Sequence, residues 1–230
     1  MKTILYDTYM SGKLIVIDGG DGSGKATQST RLYERLKKEG YRAEKLDFPR
    51  YTENFFGKLI RECLDGQCGD FMAMHPKIVS ALYAADRFES SERIRSWLDE
   101  GAVVVLDRYV SANMMHQGAK IRDVDELTQF LAWLDEMEHG VFKVPRPDMI
   151  VYLDVPHAIR KNLVAKDTTR TTIDLAEKDD VHQIASEQCA RKIAEWTDNW
   201  CVVGCGCESG LRTVDEIHED IYTLVKNSLV

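Results

Sequence analysis

The chain has 230 residues, of which 44% are hydrophobic and 30% are charged, and this composition predicts a folded globular protein and excludes a disordered chain. With 30 basic against 38 acidic residues the formal net charge is −8, which argues against a nucleic-acid-binding protein, because such proteins present a basic face. No apolar run approaches the roughly 20 residues that a membrane-spanning helix needs. The short apolar stretch near the start is interrupted by Asp7 and is not typical of a signal peptide. We therefore expect a cytoplasmic protein that binds neither membranes nor nucleic acid.

The length fits one large domain with a full core. We expect residues 11–230 to form this domain and residues 1–10 to be a loose extension, because Met10 could itself begin the chain. The cluster of three cysteines between residues 201 and 207 lacks paired C-x-x-C spacing, so we interpret it as part of a strand rather than a metal site. Without a visible export signal we expect free thiols at all six cysteines, which are Cys63, Cys68, Cys189, Cys201, Cys205 and Cys207.

Short apolar segments predict buried β-strands, and helical segments separate them. Apolar segments at residues 14–18, 103–107, 149–155 and 201–203 are predicted strands, and the more polar segment 42–48, which follows the first helix, is a further one. An amphipathic helix with Leu32 and Leu36 on one face ends at Gly40, and a longer helix covers residues 75–101. Strands that alternate with helices predict an α/β fold, with a parallel sheet covered on both faces and ligands at the carboxyl ends of its strands. The stretch 165–180 is rich in threonine and charge and lacks an apolar period, which predicts a mobile lid.

The sequence GGDGSGKAT, residues 19–27, has the G-x-x-x-x-G-K pattern of a loop that holds the phosphates of ATP, and it follows a predicted strand and precedes a predicted helix. Backbone N–H groups of such a loop must turn inward onto phosphate oxygens, which side chains would block, and Lys25 would reach the outer phosphates. A glycine turn without a ligand is the alternative. The residues expected to bind ATP are Gly19, Gly20, Asp21, Gly22, Ser23, Gly24, Lys25, Ala26 and Thr27.

Ala26 stands where the usual pattern has a hydroxyl residue that ligates Mg²⁺. Thr27 does not replace it, because one residue along a helix points about 100° away. Either the loop is inactive, or the metal is held through water and carboxylates, an arrangement that Mg²⁺ often accepts. Asp107 and Asp21 are the candidate carboxylates.

Two segments offer groups suited to a flat, hydrogen-bonding ligand. In DFPRY, residues 47–51, Phe48 provides an apolar face and Arg50 a planar fork for a phosphate, although a strand-ending turn with a surface arginine is an equal alternative. In LYAADR, residues 82–87, Tyr83 and Arg87 lie four residues apart and so share a helical face. A core tyrosine beside a salt-bridged arginine is the alternative there.

Two further segments follow the third strand. LDRYVSAN, residues 106–113, places Arg108 at the end of that strand, beside the expected nucleotide, with a structural ion pair as the alternative. In NMMHQGAK, residues 113–120, Asn113 and Gln117 are again four residues apart, and amides on one face can donate and accept at the edge of a base. Surface polar residues are the alternative.

In order and spacing, GGDGSGK, DFPRY, YAADR and DRYVSAN with HQGAK resemble the thymidylate kinases, which pass a phosphoryl group from ATP to dTMP. The resemblance covers roughly residues 11–200. It implies a P-loop kinase fold, with a five-stranded parallel sheet flanked by helices, that acts with Mg²⁺ on the small molecules dTMP and ATP. Members of this family are generally homodimers.

The resemblance also implies roles for single residues. Phe48 would pack on the thymine and Tyr83 would stack on it. Arg87 would bond the base carbonyl and Asn113 the ring nitrogen, with Gln117 nearby.

For the reacting groups, the resemblance implies that Arg50 and Arg108 hold the acceptor phosphate. Asp21 would accept a hydrogen bond from the sugar 3′-hydroxyl. Lys25 and the loop amides would hold ATP, and Arg170 is the candidate catalytic cation of the lid, with Lys161 and Lys166 behind it.

The chain departs from the family at several positions. Ala26 replaces the hydroxyl residue of most members, and His116 stands where many carry a tyrosine that crowds the sugar 2′ position. Gly22 occupies the position where some members carry a loop arginine. Members without this arginine take the positive charge from the lid instead. Ala26 keeps open a nucleotide-binding regulatory protein that does not catalyse, and a deoxynucleoside kinase is the other rival, whereas a GTPase is disfavoured because no N-K-x-D segment is present.

Overall fold

A computed structural model describes residues 12–166, 175–207 and 210–229, and structural statements below concern these ranges. The predicted extension at residues 1–10 lies outside them, as do residues 167–174 of the predicted lid, including Arg170.

Five parallel strands form the central sheet, as predicted, and the structure places them in the order β2-β3-β1-β4-β5. They are β1 (Lys13–Gly19), β2 (Ala43–Asp47), β3 (Val103–Asp107), β4 (Met149–Asp154) and β5 (Trp200–Gly204). Two further strands, β6 (Gly206–Cys207) and β7 (Gly210–Leu211), pair antiparallel beside the sheet and were not predicted. Because every strand of the sheet runs the same way, the segments after β1, β2, β3 and β4 meet at one edge.

Helices connect the strands and cover both faces of the sheet. They are α1 (Lys25–Lys38), α2 (Phe55–Leu64), α3 (Pro76–Asp99), α4 (Val110–Gly118), α5 (Val124–Asp135), α6 (His157–Lys166), α7 (Leu175–Lys178), α8 (Asp180–Trp196) and α9 (Val214–Ser228). A π-helical turn, Glu136–Val141, continues α5 without a break. Within the described ranges, no helix has the length and apolar character that a bilayer crossing demands.

The central strand β1 is buried on both faces, which explains why its sequence is continuously apolar instead of alternating. Leu14 and Val16 pack into a core with residues of α3, α4, α5 and α8. Ile15 and Ile17 point the opposite way, into a second core with residues of α1 and α9. Strand geometry sends successive side chains to opposite faces, so one short segment joins the two halves of the hydrophobic core.

Local signals set the limits of the first helix that covers the sheet. Leu32 and Leu36 of α1 are fully buried against the second core, as their spacing predicts. The helix ends two residues before Gly40, whose φ of 88° belongs to the left-handed region that terminates helices. The prediction of this amphipathic helix is therefore confirmed.

The expectation that all cysteines are free thiols is wrong for one pair. Cys63 and Cys68 form a disulfide, with Cα atoms 4.6 Å apart, across the turn that follows α2. The helix end folds the chain back within five residues, and this brings the two sulfur atoms together. Cys189, Cys201 and Cys205 are free thiols, as expected.

Candidate active site

The predicted phosphate loop lies between the end of β1 and the start of α1, at the edge of the sheet where the strands end. Gly22 and Gly24 have φ angles of 79° and 87°, a left-handed backbone that residues with a side chain rarely adopt. Lys25 begins α1, is 7% exposed, and donates a hydrogen bond from Nζ to the carbonyl oxygen of Gly20 at 2.8 Å. The loop therefore brings a lysine and a helix N-terminus to one place, as phosphate binding requires.

Two cavities meet at this loop. An outer cavity of about 550 Å³ is lined by Asp21, Gly22, Gly24, Lys25, Ala26 and Thr27 of the predicted ATP-binding set. Gly19, Gly20 and Ser23 belong to the same loop but not to this lining. An inner cavity of about 90 Å³ lies beside it and is walled by α3 and α4. Both linings include Asp21, Phe48, Pro49, Tyr51 and Arg108, so the two cavities are adjacent and share one wall.

Arg108 and Asp21 form an ion pair at the junction of the two cavities. Arg108 has a φ of 64°, an uncommon backbone for a residue with a side chain, and such strain is concentrated at functional sites. Burial alone would raise the pKa of the Asp21 carboxyl, but the adjacent charges of Arg108 and Lys25 outweigh it and hold this pKa well below its usual range. Asp21 is therefore an ionised acceptor of hydrogen bonds and not a proton donor near neutral pH.

His116 contacts the same arginine. The Arg108 guanidinium donates to Nε2 of His116 at 3.2 Å, since a guanidinium has no acceptor, and the histidine proton is therefore on Nδ1. Burial, and then the charge of Arg108, hold the pKa of His116 well below its ordinary value, so the ring is neutral. On its other side His116 stacks on His182 of α8, with ring centroids 5.6 Å apart. The predictions from sequence did not include His182, because it comes from a distant helix.

The inner cavity is lined by all the residues that we predicted around a base, which are Phe48, Tyr83, Arg87, Asn113 and Gln117, and by His116, which we predicted near the sugar. The four-residue spacings therefore placed each pair on one wall, as expected. Phe71 packs against Tyr83 with ring centroids 6.4 Å apart and adds to the apolar side of this space. Gln117 Oε1 is buried without a hydrogen-bond partner among the described residues, which leaves an acceptor for a ligand.

A buried carboxylate behind the inner cavity was missed by the sequence predictions. Glu138, from the π-helical turn, is fully buried and forms an ion pair with Arg87. It also accepts a hydrogen bond from Nδ2 of Asn113 at 3.0 Å. The surrounding sequence, DEMEHG, contains two further acidic residues, so no local pattern distinguishes this glutamate from its exposed neighbours.

Arg50 lies outside the linings of both cavities. Its guanidinium is 3.8 Å from Asp47 and 3.7 Å from Glu53, and its backbone N–H donates to Asp86 at 3.1 Å. Arg61 of α2 lines the outer cavity instead. The contact of Arg50 with an acceptor phosphate stays a prediction.

Of the two predicted metal carboxylates, Asp107 fits better. It lines the outer cavity at the end of β3, and burial raises its pKa above the ordinary value, a cost that a nearby cation would remove. Asp21 is less suited, because its two oxygens already accept hydrogen bonds from Arg108 and from Nε2 of Gln183. In the described part of the chain no group of three or more metal-ligating side chains occurs, so Mg²⁺ would depend on phosphate and water ligands for the rest.

Arg160 of α6 supports the phosphate loop from behind. Its guanidinium donates to the carbonyl oxygen of Asp21 at 3.1 Å and pairs with Glu187 at 3.2 Å. A Cβ atom on Gly20 would lie 2.3 Å from this guanidinium, so any side chain at position 20 would displace Arg160 from its partners. Arg160 was not among the predicted residues, because the contact joins segments about 140 residues apart.

A phosphate loop that lies beside a second, largely apolar cavity on the same sheet edge is the arrangement of the nucleoside monophosphate kinases, and this is the class that the fold and the site define. The family model described as "Thymidylate kinase" matches residues 17–221. The chain therefore belongs to the thymidylate kinase family, and the prediction of this family and of a P-loop kinase fold is confirmed.

The sequence similarity to individual relatives extends along nearly the whole length of this chain. The chain is 32% identical over 223 residues to the probable thymidylate kinase of Pyrococcus horikoshii, a match that covers 96% of this chain and 99% of the relative. It is 29% identical over 220 residues to the human thymidylate kinase, covering 95% and 92% of the two chains. The structure of thymidylate kinase from Candida albicans superposes with a TM-score of 0.73 at 22% identity, covering 95% and 92% of the two chains, which shows the shared fold.

Proposed function

We propose that the protein transfers the γ-phosphoryl group of ATP to dTMP and forms dTDP. The observation that carries this proposal is the junction of the two cavities at Asp21 and Arg108. A nucleotide phosphate in the outer cavity and an acceptor whose base occupies the inner cavity would bring their phosphates together at Arg108. Holding two anionic groups in line is the main requirement of phosphoryl transfer, since little covalent chemistry is asked of the protein.

The donor side uses the phosphate loop. Lys25 and the inward N–H groups bind the outer phosphates of ATP, and the N-terminus of α1 adds a favourable dipole. Asp107, through water, would hold a Mg²⁺ ion, and the buried, otherwise unfavourable charge of its carboxylate supports this assignment. The metal would supply charge neutralisation on the phosphate oxygens.

The acceptor side uses the inner cavity. Phe48 and Tyr83 provide apolar faces for a planar base, while Arg87 and Asn113 provide hydrogen bonds to its edge. Arg108 binds the acceptor phosphate, because a planar guanidinium matches phosphate geometry and cannot lose its charge. The acceptor phosphate is already an anion and needs no strong general base, which agrees with the lowered pKa of Asp21, since a carboxylate with a low pKa is a weak base.

The segment predicted as a lid contributes to water exclusion in this proposal. Ala176 of α7 lines the inner cavity and Glu177 lines the outer one, so α7 lies against both. Gln183 of α8 holds α7 in place by donating to the carbonyl oxygen of Ala176 at 3.1 Å. We propose Arg170, outside the described residues, as the lid cation at the transferred phosphoryl group.

The proposal also covers the domain organisation, oligomeric state, location and partners of the enzyme. We propose a single domain over residues 11–230 that acts as a homodimer in the cytoplasm, with small-molecule substrates and neither nucleic-acid nor membrane partners. The net charge of −8 supports the exclusion of nucleic acid, and the family resemblance supports the homodimer.

A panel of acceptors tests the proposed function. In a coupled assay of ADP release with ATP and Mg²⁺, we expect dTMP to be preferred over dUMP, dCMP, AMP and GMP, with the ribose analogue of dTMP and thymidine included. Preference for thymidine would favour a deoxynucleoside kinase. Calorimetric binding of ATP and dTMP without turnover, even with Mn²⁺ or excess Mg²⁺, would favour a regulatory protein and contradict the proposal.

The substitution Ala26→Ser tests how the metal is held. Ala26 lines the outer cavity and is exposed there, so a serine hydroxyl could reach a metal on the phosphates. We expect the Mg²⁺ concentration needed for half-maximal activity to fall, because the new ligand adds to Asp107. An unchanged Mg²⁺ requirement would mean that carboxylate, phosphate and water ligands already suffice.

The charge of Lys25 predicts a pH dependence of ATP binding. Burial, and next the positive charge of Arg108, lower the pKa of Lys25 to about 8. Because phosphates bind the protonated lysine, the affinity for ATP should fall as pH rises above this value, by up to about tenfold per pH unit. Calorimetric titrations between about pH 7 and 9.5 measure this change in ATP affinity. In Lys25→Met the affinity should no longer depend on pH in this range. A wild-type affinity that stays constant across the range would contradict the expected loss of charge.

A further inference from the structure

Glu138 is a fully buried carboxylate that lies behind the inner cavity. It comes from the π-helical turn Glu136–Val141, whose other acidic residue, Glu136, is exposed. Its two oxygens contact two side chains that line the inner cavity, Arg87 and Asn113. No step of the proposed reaction uses this glutamate directly, so its burial with two cavity residues requires a separate explanation.

The contact with Arg87 fixes the orientation of the guanidinium. Nε of Arg87 donates to one oxygen of Glu138 at 3.0 Å, and one terminal nitrogen donates to the other oxygen. The second terminal nitrogen donates to the carbonyl oxygen of Tyr109 at 3.3 Å. These contacts use three of the five N–H groups of the arginine. The remaining N–H groups keep Arg87 a pure donor toward the inner cavity.

The contact with Asn113 fixes which end of its amide can face the inner cavity. Nδ2 of Asn113 donates to Glu138 at 3.0 Å and to the carbonyl oxygen of Ser80 at 3.1 Å. Both partners are pure acceptors, so the amide nitrogen must face them and both of its hydrogens are used. The oxygen of Asn113 is then the group left for a ligand, and it can only accept.

We infer that Glu138 is a positioning residue that sets the hydrogen-bond pattern of the inner cavity, with a donor at Arg87 beside an acceptor at Asn113. This inference rests on the proposed function and names the basis of its substrate choice. The pattern matches a pyrimidine with a carbonyl group at position 4 and an N–H at position 3, as in thymine and uracil. Cytosine presents the reverse pattern. Its amino group would place a donor against the donor Arg87, and its bare ring nitrogen would place an acceptor against the oxygen of Asn113.

The substitution Glu138→Gln tests this inference. A glutamine at 138 has one acceptor oxygen in place of two, so its N–H₂ group must face a donor, and the least costly arrangement places it against Nε of Arg87. The guanidinium of Arg87 then loses the paired acceptors that hold its orientation toward the cavity. We expect the ratio of kcat/KM for dTMP over dCMP to fall by about tenfold or more, since the matched hydrogen bond from Arg87 is lost. The KM for dTMP should rise while the KM for ATP stays the same. Glu136→Gln, in the same turn but exposed, is the matched control and should leave both values unchanged.

A second variant separates the hydrogen-bond pattern from simple loss of packing. Glu138→Asp keeps two acceptor oxygens and the negative charge, so it should keep the preference for dTMP over dCMP even where the KM for dTMP rises. Loss of that preference in Glu138→Asp would overturn the inference, as would an unchanged ratio in a folded Glu138→Gln protein whose only defect is a lower melting temperature. The Asp variant also serves alone if the Gln variant does not fold.

The failure of this inference and that of the proposed function are distinguishable. The wild-type acceptor panel decides the proposed function without any variant. The ratio of dissociation constants for dTMP and dCMP, measured by calorimetry, tests Glu138 even in a protein without turnover. A wild-type protein that binds both nucleotides equally well would overturn the inference.

Discussion

Replacement of Arg108 by alanine should lower kcat by about 10³-fold or more, because one arginine that neutralises charge on a transferring phosphoryl group is worth a factor of this size. Arg108 lies in both cavities, beside Asp21 and His116, so its guanidinium is where the two phosphates would meet. The positive φ of residue 108 is no more strained for alanine than for arginine, since both have a Cβ atom. The fold should therefore persist, and circular dichroism with single-turnover kinetics checks both statements.

Two further variants sharpen the experiment on Arg108. Arg108→Lys keeps the charge and loses the planar fork, so we expect an intermediate activity. Arg146→Ala is the matched control, because Arg146 is an exposed arginine whose partner is the surface residue Asp135. A kcat for Arg108→Ala within a few-fold of the wild type would exclude this arginine from the transfer step.

The substitution Lys25→Met should lower kcat/KM for ATP by about 10²-fold to 10³-fold, because it removes a charge aimed at the developing negative charge of the phosphates. The same substitution should stabilise the protein without nucleotide. Lys25 is 7% exposed, and its pKa of about 8, against 10.5 for an exposed lysine, means that folding disfavours its charged form. At 1.36 kcal/mol per unit of pKa, the gain in the free energy of unfolding at neutral pH is up to roughly 3 kcal/mol.

Urea denaturation at neutral pH and steady-state kinetics measure these two opposite effects of Lys25→Met. Lys38→Met, at the exposed end of the same helix, is the matched control and should change neither quantity. The sign follows from linkage, because the lysine is protonated below its folded pKa and its charge is then buried at a cost. A destabilised Lys25→Met protein would show that the hydrogen bond to Gly20 outweighs this cost.

The parts of the fold that follow from local patterns were predictable from the sequence. All five predicted segments form strands of the sheet, and the inner strands β1, β3 and β4 show the clearest signal, because a strand buried on both faces needs an uninterrupted run of apolar residues. The phosphate loop was predictable because its backbone demands glycine, and Tyr83 with Arg87 because four residues complete about one helical turn.

The parts that depend on long-range contacts were not predictable. Glu138, Arg160 and His182 reach the site from elements that are distant in the chain, and nothing in their neighbouring residues marks them. The disulfide between Cys63 and Cys68 was missed because the expectation relied on the absence of an export signal and not on the turn that joins them. The guanidinium of Arg50 lies near the carboxylates of Asp47 and Glu53, and its spacing in the sequence does not predict this orientation.

The close approach of Arg160 to Gly20 has a mechanical consequence. Four acceptors hold this guanidinium: the carbonyl oxygens of Val155 and Asp21, and the side chains of Gln183 and Glu187. The space between the guanidinium and Gly20 is too small for a methyl group, so the arginine and the phosphate loop are in direct contact. One side chain thus joins the phosphate loop to α6 and to the start of α8, so a displacement of either helix would be transmitted to the loop that holds the phosphates.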